Sequence, residues 1–170
     1  MLSRTVQDAM NEQIMNEFHA AYQYLSMAAY FESTNLAGFS RWMRVQSQEE
    51  MEHAMKFYDF ILDRGGNVVL GPMEGPAVEF GSPLEVFEEA LAHERRVTAQ
   101  INALYSLAAG ENDYASQTFL QWFITEQVEE EKNTGDVLET LRMIGGGSEA
   151  LFLFDRELGN RTDGEQSEAG

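Results

Sequence analysis

Cysteine is absent, which excludes a disulfide, a thiolate metal site and a cysteine nucleophile. Proline is scarce. Pro72, Pro76 and Pro83 bracket one region and leave long proline-free tracts on either side, which favours long helices. Positive charge is scarce too: 11 Lys and Arg stand against 29 Asp and Glu, for a formal net charge of −18. Such a surface repels nucleic acid and anionic lipid and concentrates cations, so neither nucleic acid nor a membrane is an expected partner. No run approaches the length of a membrane span, and the first residues carry no apolar signal-like core, so a cytoplasmic location is expected. What remains is a globular composition, 44% hydrophobic over 170 residues, long enough for one domain with a real core.

Helical spacing of apolar residues organises the chain. A first helix reads from Val6 to about Thr34, with Ile14, Phe18, Ala21, Leu25, Ala28 and Ala29 as its apolar face. Ser33-Thr34-Asn35 breaks it. A second helix begins near Leu36 or Ala37 and carries Phe39, Trp42, Met43, Val45, Met51, Ala54, Met55, Tyr58 and Ile61. Arg64-Gly65-Gly66 stops it. Residues 67–82 read as an extended connection, too long for a tight turn. Stretched, roughly sixteen residues at about 3.3 Å each reach some 50 Å, whereas the second helix is about 42 Å long. The connection is therefore expected to run the length of a bundle. Ser82-Pro83 opens a third helix, with Leu84, Phe87, Ala90, Leu91, Val97, Ile101, Leu104 and Leu107. A fourth helix is expected from about Tyr114 to Ile144, with Phe119, Leu120, Phe123, Ile124, Val128, Val137, Leu138 and Leu141. Gly145-Gly146-Gly147 ends it, and a short apolar helix closes at Leu158. The fold class is thus all-α: a four-helix bundle with one long crossover between helices two and three, plus a short fifth helix. Residues 1–159 read as a single domain and 160–170 as a polar, disordered tail.

The chemistry centres on Glu50-x-x-His53. Three residues is close to one helical turn, so carboxylate and imidazole share a face and can grip one borderline metal ion such as iron or zinc. Alone this pattern is weak. Other carboxylates sit oddly, however. Glu17 interrupts an apolar face, with Tyr24 two turns on, and Glu94 lies one turn from both Leu91 and Val97. Glu130 belongs to an acidic run in the fourth helix. At about 1.5 Å per residue, Glu17, Glu50, Glu94 and Glu130 fall at about 17, 22, 25 and 25 Å along the bundle. Taken singly, each reads as structural. Four carboxylates converging in an apolar interior would repel one another and resist desolvation, and bound cations or protons would relieve that.

Four-helix bundles that hold a di-iron centre between inward carboxylates and histidines are a known architecture. The segments NEFHAAYQYLSMA, GFSRWMRVQSQEEMEHAMK, HERRVTAQIN, FLQWFITEQVEEEK and FDREL resemble the non-haem ferritins of bacteria and archaea over nearly the whole chain. The resemblance implies an iron-storage ferritin: a ferroxidase that takes Fe(II) to Fe(III) with dioxygen or hydrogen peroxide, and a hollow cage of twenty-four subunits that stores the mineral. It implies that Glu17, Glu50 and His53 hold a first iron, and that Glu50 bridges to a second held also by Glu94 and Glu130. Gln127 would position water or dioxygen, and Tyr24 and Trp122 would supply electrons. Glu49, Glu126 and Glu129, sharing Glu130, match a third iron site. Glu130 is followed at plus three by Asn133 rather than His, which fits ferritins and argues against bacterioferritins, rubrerythrins and manganese catalases. Met51 lies where bacterioferritins ligate haem, but reads as a core or interface methionine. His19 and His93 read as surface or supporting residues. A di-metal peroxidase, a haem-containing bacterioferritin and a metal-free acidic scaffold are the alternatives.

Overall fold

A computed structural model describes residues 2–160. Five helices follow one another: α1 (Arg4–Ser33), α2 (Ala37–Asp63), α3 (Pro83–Gly110), α4 (Tyr114–Ile144) and α5 (Ser148–Leu158). No strand occurs among the described residues. Much of the tail expected from residue 160 onward lies outside them.

Local chemistry sets the boundaries. The Ser3 hydroxyl accepts from the Val6 amide to start α1, Ser82 caps α3 through the Glu85 amide, and Asp113 caps α4 through the Ser116 amide. Asn35 turns the chain between α1 and α2 at φ +60°, and Gly65 leaves α2 at φ +72°, where only glycine is unstrained. Arg64 caps the end of α2 and pairs with Asp113 at 3.1 Å, which fastens the end of α2 to the start of α4.

The crossover climbs α1 from bottom to top. Asn67 accepts at its carbonyl from Asn11 Nδ2 at 3.0 Å, and its own amide donates to Gln7 Oε1 at 2.9 Å. Farther on, the Ala77 amide donates to Gln23 Oε1 at 3.1 Å and its carbonyl accepts from Ser26 Oγ at 2.6 Å. The Phe80 ring meets Tyr30 at 5.4 Å. Since α2 and α3 both begin beside the C-terminal end of α1, they run parallel to each other and antiparallel to α1. The fourth helix returns beside α3. The expected topology is the observed one.

Buried apolar side chains form two clusters among the described residues. The upper one stacks Phe31 on Phe39 at 5.1 Å, with Phe87, Trp42 and Leu138 around them. The lower one stacks Phe57 on Phe123 at 4.3 Å, with Ile14, Ile101 and Leu120. Between them lies a layer of buried polar residues. The faces differ in detail from the sequence reading. Leu25, Ala29 and Val128 point outward, Met51 and Met55 are exposed on α2, and Met27, Phe31 and Phe57 take the interior positions. Each helix carries apolar residues on more than one flank, so spacing alone leaves the buried flank open by a third of a turn.

The last helix is fixed by a contact that sequence spacing could not show. Leu36, the N-cap of α2, has no capping side chain. Asp155 of α5 supplies one: its Oδ1 accepts from the Phe39 amide at 3.0 Å. Backbones approach so closely that a Cβ on Gly38 would lie 1.6 Å from the Asp155 carbonyl oxygen. Phe154 meets Phe39 edge-on at 5.7 Å and Leu158 joins the upper cluster, while Phe152 and Leu153 remain 58% and 60% exposed. Deleting the chain after Gly147 would therefore strip a cap and part of the core's cover.

Two substitutions test this docking. Asp155→Ala removes the cap alone and should cost about 1 kcal/mol in thermal unfolding. Gly38→Ala should expel α5 from α2, read as rapid tryptic cleavage at Arg156. Unchanged cleavage in Gly38→Ala would show that α5 is held elsewhere.

Candidate metal centre

Glu17, Glu50, Glu94 and Glu130 meet in the polar layer, one from each long helix, none more than 1% exposed. His53, one turn after Glu50, is 4% exposed, with Nδ1 3.3 Å from Glu50 Oε2. Ligand atoms of Glu17, Glu50 and His53 lie within 4.8 Å of one another, and so do those of His53, Glu126 and Glu130. These are the spacings that one cation bound between three side chains requires.

Three of the four carboxylates are steadied from outside. Gln13 Nε2 donates to Glu17 Oε1 at 2.8 Å, and Gln46 Nε2 donates to Glu130 Oε2 at 2.8 Å. The Tyr24 hydroxyl donates to Glu94 Oε1, and Gln127 Nε2 reaches Glu94 Oε2 at 3.3 Å and its carbonyl at 3.2 Å. Two oxygens are left over: Glu17 Oε2 and Glu130 Oε1 are buried without a hydrogen-bond partner. Buried acceptors in that condition are costly and suit a cation.

Burial dominates the electrostatics. It holds the Glu17 and Glu50 carboxyls well above the usual carboxylate range, with repulsion from Glu50 adding at Glu17 and repulsion from Glu94, Glu130 and Glu49 adding at Glu50. Burial raises Glu94 to about 7, against the pull of the Tyr24 and Gln127 hydrogen bonds. It raises Glu130 to about 8, with repulsion from Glu94 and Glu49 behind it. Tyr24 is pushed up by burial and by Glu94. A metal-free centre therefore carries protons near neutrality, and a cation would displace them.

The flanks differ. Trp122, 41% exposed, sets its ring edge-on to His53 at 5.4 Å, and Lys56 Nζ lies 4.6 Å above that ring. Glu126 is half-buried and raised by burial, with His53 opposing. Glu49 and Glu129 are also half-buried, but the cluster that includes Glu126 joins it to His53 and Glu130 rather than to them. His93, one residue before Glu94, meets Tyr24 edge-on at 6.0 Å and is pushed down to about 4 by burial and by Arg96. Sequence reasoning missed Gln13 and Gln46. Glutamine at an apolar-face position, four residues before an inward glutamate, was the available signal.

The ferritin-like domain family matches residues 7–144. The chain belongs to the ferritin family. It is similar to the bacterial non-heme ferritin of Staphylococcus epidermidis, 42% identical over 166 residues that cover 98% of this chain and all of that protein. It is equally similar to that of Bacteroides fragilis, 42% over 161 residues, 95% of this chain and all of the relative. Among solved structures, an open-pore ferritin from the archaeon Archaeoglobus fulgidus superposes with a TM-score of 0.94 at 49% identity, covering 95% of this chain and 98% of that one. An engineered closed form of the same ferritin superposes with the same score and identity, covering 99% of that chain. Ferritin membership supports an iron-storage role.

The raised carboxyls give a pH test. Between the ordinary carboxylate range near pH 4 and about pH 8, the folded chain holds protons that the unfolded chain has released, so stability must fall as pH rises through that window. Metal-free protein should melt lower at about pH 8 than at about pH 5.5. Glu94→Gln should flatten that dependence. A slope unaltered by the substitution would show that surface charge alone sets it.

Proposed function

We propose that this ferritin oxidises Fe(II) at the buried centre and stores the product as a ferric mineral inside a cage of twenty-four copies, in the cytoplasm. The convergence of Glu17, Glu50 and His53 between two apolar clusters is the observation that carries this reading. Fe(II) is the substrate. Glu17, Glu50 and His53 hold the first ion; Glu50, Glu94 and Glu130 hold the second. Hard carboxylate oxygens favour Fe(III) over Fe(II), so the ligand set itself draws the reaction toward product.

The electron balance is simple. Two Fe(II) ions each lose one electron, and dioxygen with two protons leaves as hydrogen peroxide. Protons displaced from the carboxyls by the entering cations can meet that demand locally. Gln127, whose amide is taken up by Glu94, acts by orienting that carboxylate. Tyr24, bonded to Glu94, and Trp122, beside His53, are the oxidisable rings nearest the centre and can supply further electrons. Glu126, Glu49 and Glu129 form the acidic way out, where a weakly held Fe(III) passes toward the cavity. The grouping of Glu126 with His53 and Glu130 favours Glu126 as the first residue on that way.

Exposed Phe152 and Leu153 on α5 support assembly, since a monomer leaves them uncovered. A metal-binding scaffold without chemistry would bind iron and leave it ferrous. A peroxidase would turn over peroxide and accumulate no mineral.

Anaerobic Fe(II) titration followed by air, with particle size measured, tests the reading: two ferrous ions per subunit should bind, oxidise fast and end in a mineral core. Glu50→Ala should slow the fast phase by at least about a hundredfold, since losing a residue that merely supports a metal ligand already costs about 10- to 100-fold. A fast phase intact in that variant removes Glu50 from the mechanism. Glu49→Ala with Glu126→Ala should leave the first oxidation fast and slow the second turnover. An identical second-turnover rate reduces those residues to surface charge.

A further inference from the structure

Gln13 and Gln46 each give their carboxylate one hydrogen bond, to Glu17 and to Glu130. Glu94 is held at both oxygens, by Tyr24 at Oε1 and by Gln127 at Oε2. The grip on Gln127 comes from outside the centre. Glu94 and Thr98 stand four residues apart on α3, and Gln127 and Glu131 four apart on α4, so each pair shares one flank of its helix. The two flanks face each other. Gln127 Nε2 lies 3.2 Å from the Glu94 carbonyl, 3.3 Å from Glu94 Oε2 and 3.5 Å from Thr98 Oγ1. Thr98 Oγ1 lies 2.6 Å from Glu131 Oε1. Arg95 Nε, largely exposed, reaches Glu131 Oε2 at 3.7 Å. A chain of contacts thus runs from the surface to Glu94.

The direction of each bond follows from the groups' chemistry. A carboxylate only accepts, so Thr98 gives its one hydrogen to Glu131, the shorter contact, in preference to the Glu94 carbonyl at 3.0 Å. The Thr98 oxygen then keeps its lone pairs for the Gln127 amide. That amide has two hydrogens. One is drawn toward Thr98 and the Glu94 carbonyl, and the other is left for Glu94 Oε2. Without Glu131, the Thr98 hydroxyl falls back on the Glu94 carbonyl, the usual bond of a helical threonine to the residue four before it. It then competes with Gln127 for that carbonyl, and the amide loses its fixed orientation.

We propose that Thr98 and Glu131 are positioning residues for the second metal ion, acting through Gln127 on the Glu94 carboxylate. This rests on the two-ion ferroxidase reading above, in which Glu94 serves the second ion and not the first. The link from Glu131 through Thr98 sets the affinity of that half of the centre. It leaves Glu17 and His53, on the other half, alone. A simple tie between α3 and α4 would instead act on stability and on both ions alike.

Anaerobic Co(II) titration by absorbance tests this without oxidation. The parent should bind Co(II) in two steps. Thr98→Val keeps the shape and removes the hydroxyl; Glu131→Ala removes the acceptor. Each should weaken the second step by about tenfold or more, as loss of a group supporting a metal ligand does, and leave the first step unchanged. Thr98→Ser and Glu131→Gln keep the bond and should restore the second step. Thr98→Val with Glu131→Ala should be no weaker than either alone, since both cut one link. In stopped flow with dioxygen, the Fe(II) concentration for half-maximal rate should rise in the weakened variants, with the rate at saturating Fe(II) near that of the parent. Equal weakening of both steps, an unchanged second step, or failure of Thr98→Ser to restore it would overturn the assignment. If Thr98→Val does not fold, Glu131→Ala and Glu131→Gln decide it. A parent that binds two Co(II) but shows no fast oxidation would instead overturn the ferroxidase reading, while the titration would still stand for Thr98 and Glu131.

Discussion

Four carboxylates buried at one level of an apolar bundle constrain everything else in this protein. Desolvation and mutual repulsion both oppose the charged state, and neither has a lysine or arginine set against it in the contacts described. The two aromatic-rich clusters above and below the layer supply the burial that holds the helices together across it. A bundle with a single continuous core would be more stable and could bind nothing at its middle. The divided core is what a metal-binding interior requires.

The crossover decides which way each carboxylate-bearing helix runs. Hydrogen bonds with Gln7 and Asn11 at one end of α1 and with Gln23 and Ser26 at the other guide it along that helix. With α2 and α3 parallel, Glu50 and Glu94 descend on helices that face each other across the bundle, and Glu17 and Glu130 rise on the two helices between them. A tight turn in place of the crossover would reverse α3. Glu94 lies close enough to mid-helix to keep its height even then, but its side chain would tilt the other way, since a helical side chain leans toward its own N-terminus.

Much of this was legible in the sequence because helix boundaries, crossover length and inward carboxylates are local or additive signals. Ser82-Pro83, Gly65 and Asp113 state their own positions. Other features are contacts between distant segments. Asp155 capping α2 requires knowing that α5 folds back on Gly38, 116 residues from Asp155 to its partner Phe39. Gln46 reads as an ordinary α2 residue until Glu130 is seen 84 residues away. Leu25, Ala29 and Val128 have the spacing of core residues yet lie exposed, because an apolar residue on the outer flank of a helix shares that spacing. Gln127 likewise donates to Glu94 on another helix, a contact that its own spacing does not show.

The choice of neighbours around the carboxylates carries a further consequence. Gln13, Gln46, Gln127 and Tyr24 are all neutral donors, and each takes up one oxygen of its carboxylate or shares the group. A lysine or arginine in those places would steady the carboxylate more strongly, and would lower its pKa into the ordinary range. It would also neutralise the charge that an entering cation would otherwise meet, and that cation would then compete with a fixed one. An amide orients the group without spending its charge. Glu17 and Glu130 are each left with one bonded oxygen and one bare oxygen, so the side chain is aimed while its binding atom stays unsatisfied. Such a centre suits cations because nothing nearby has already balanced it. It can also release them, because neutral amides hold the ligands by a single hydrogen bond apiece, which a shift of one rotamer breaks at a net cost of about 1 kcal/mol.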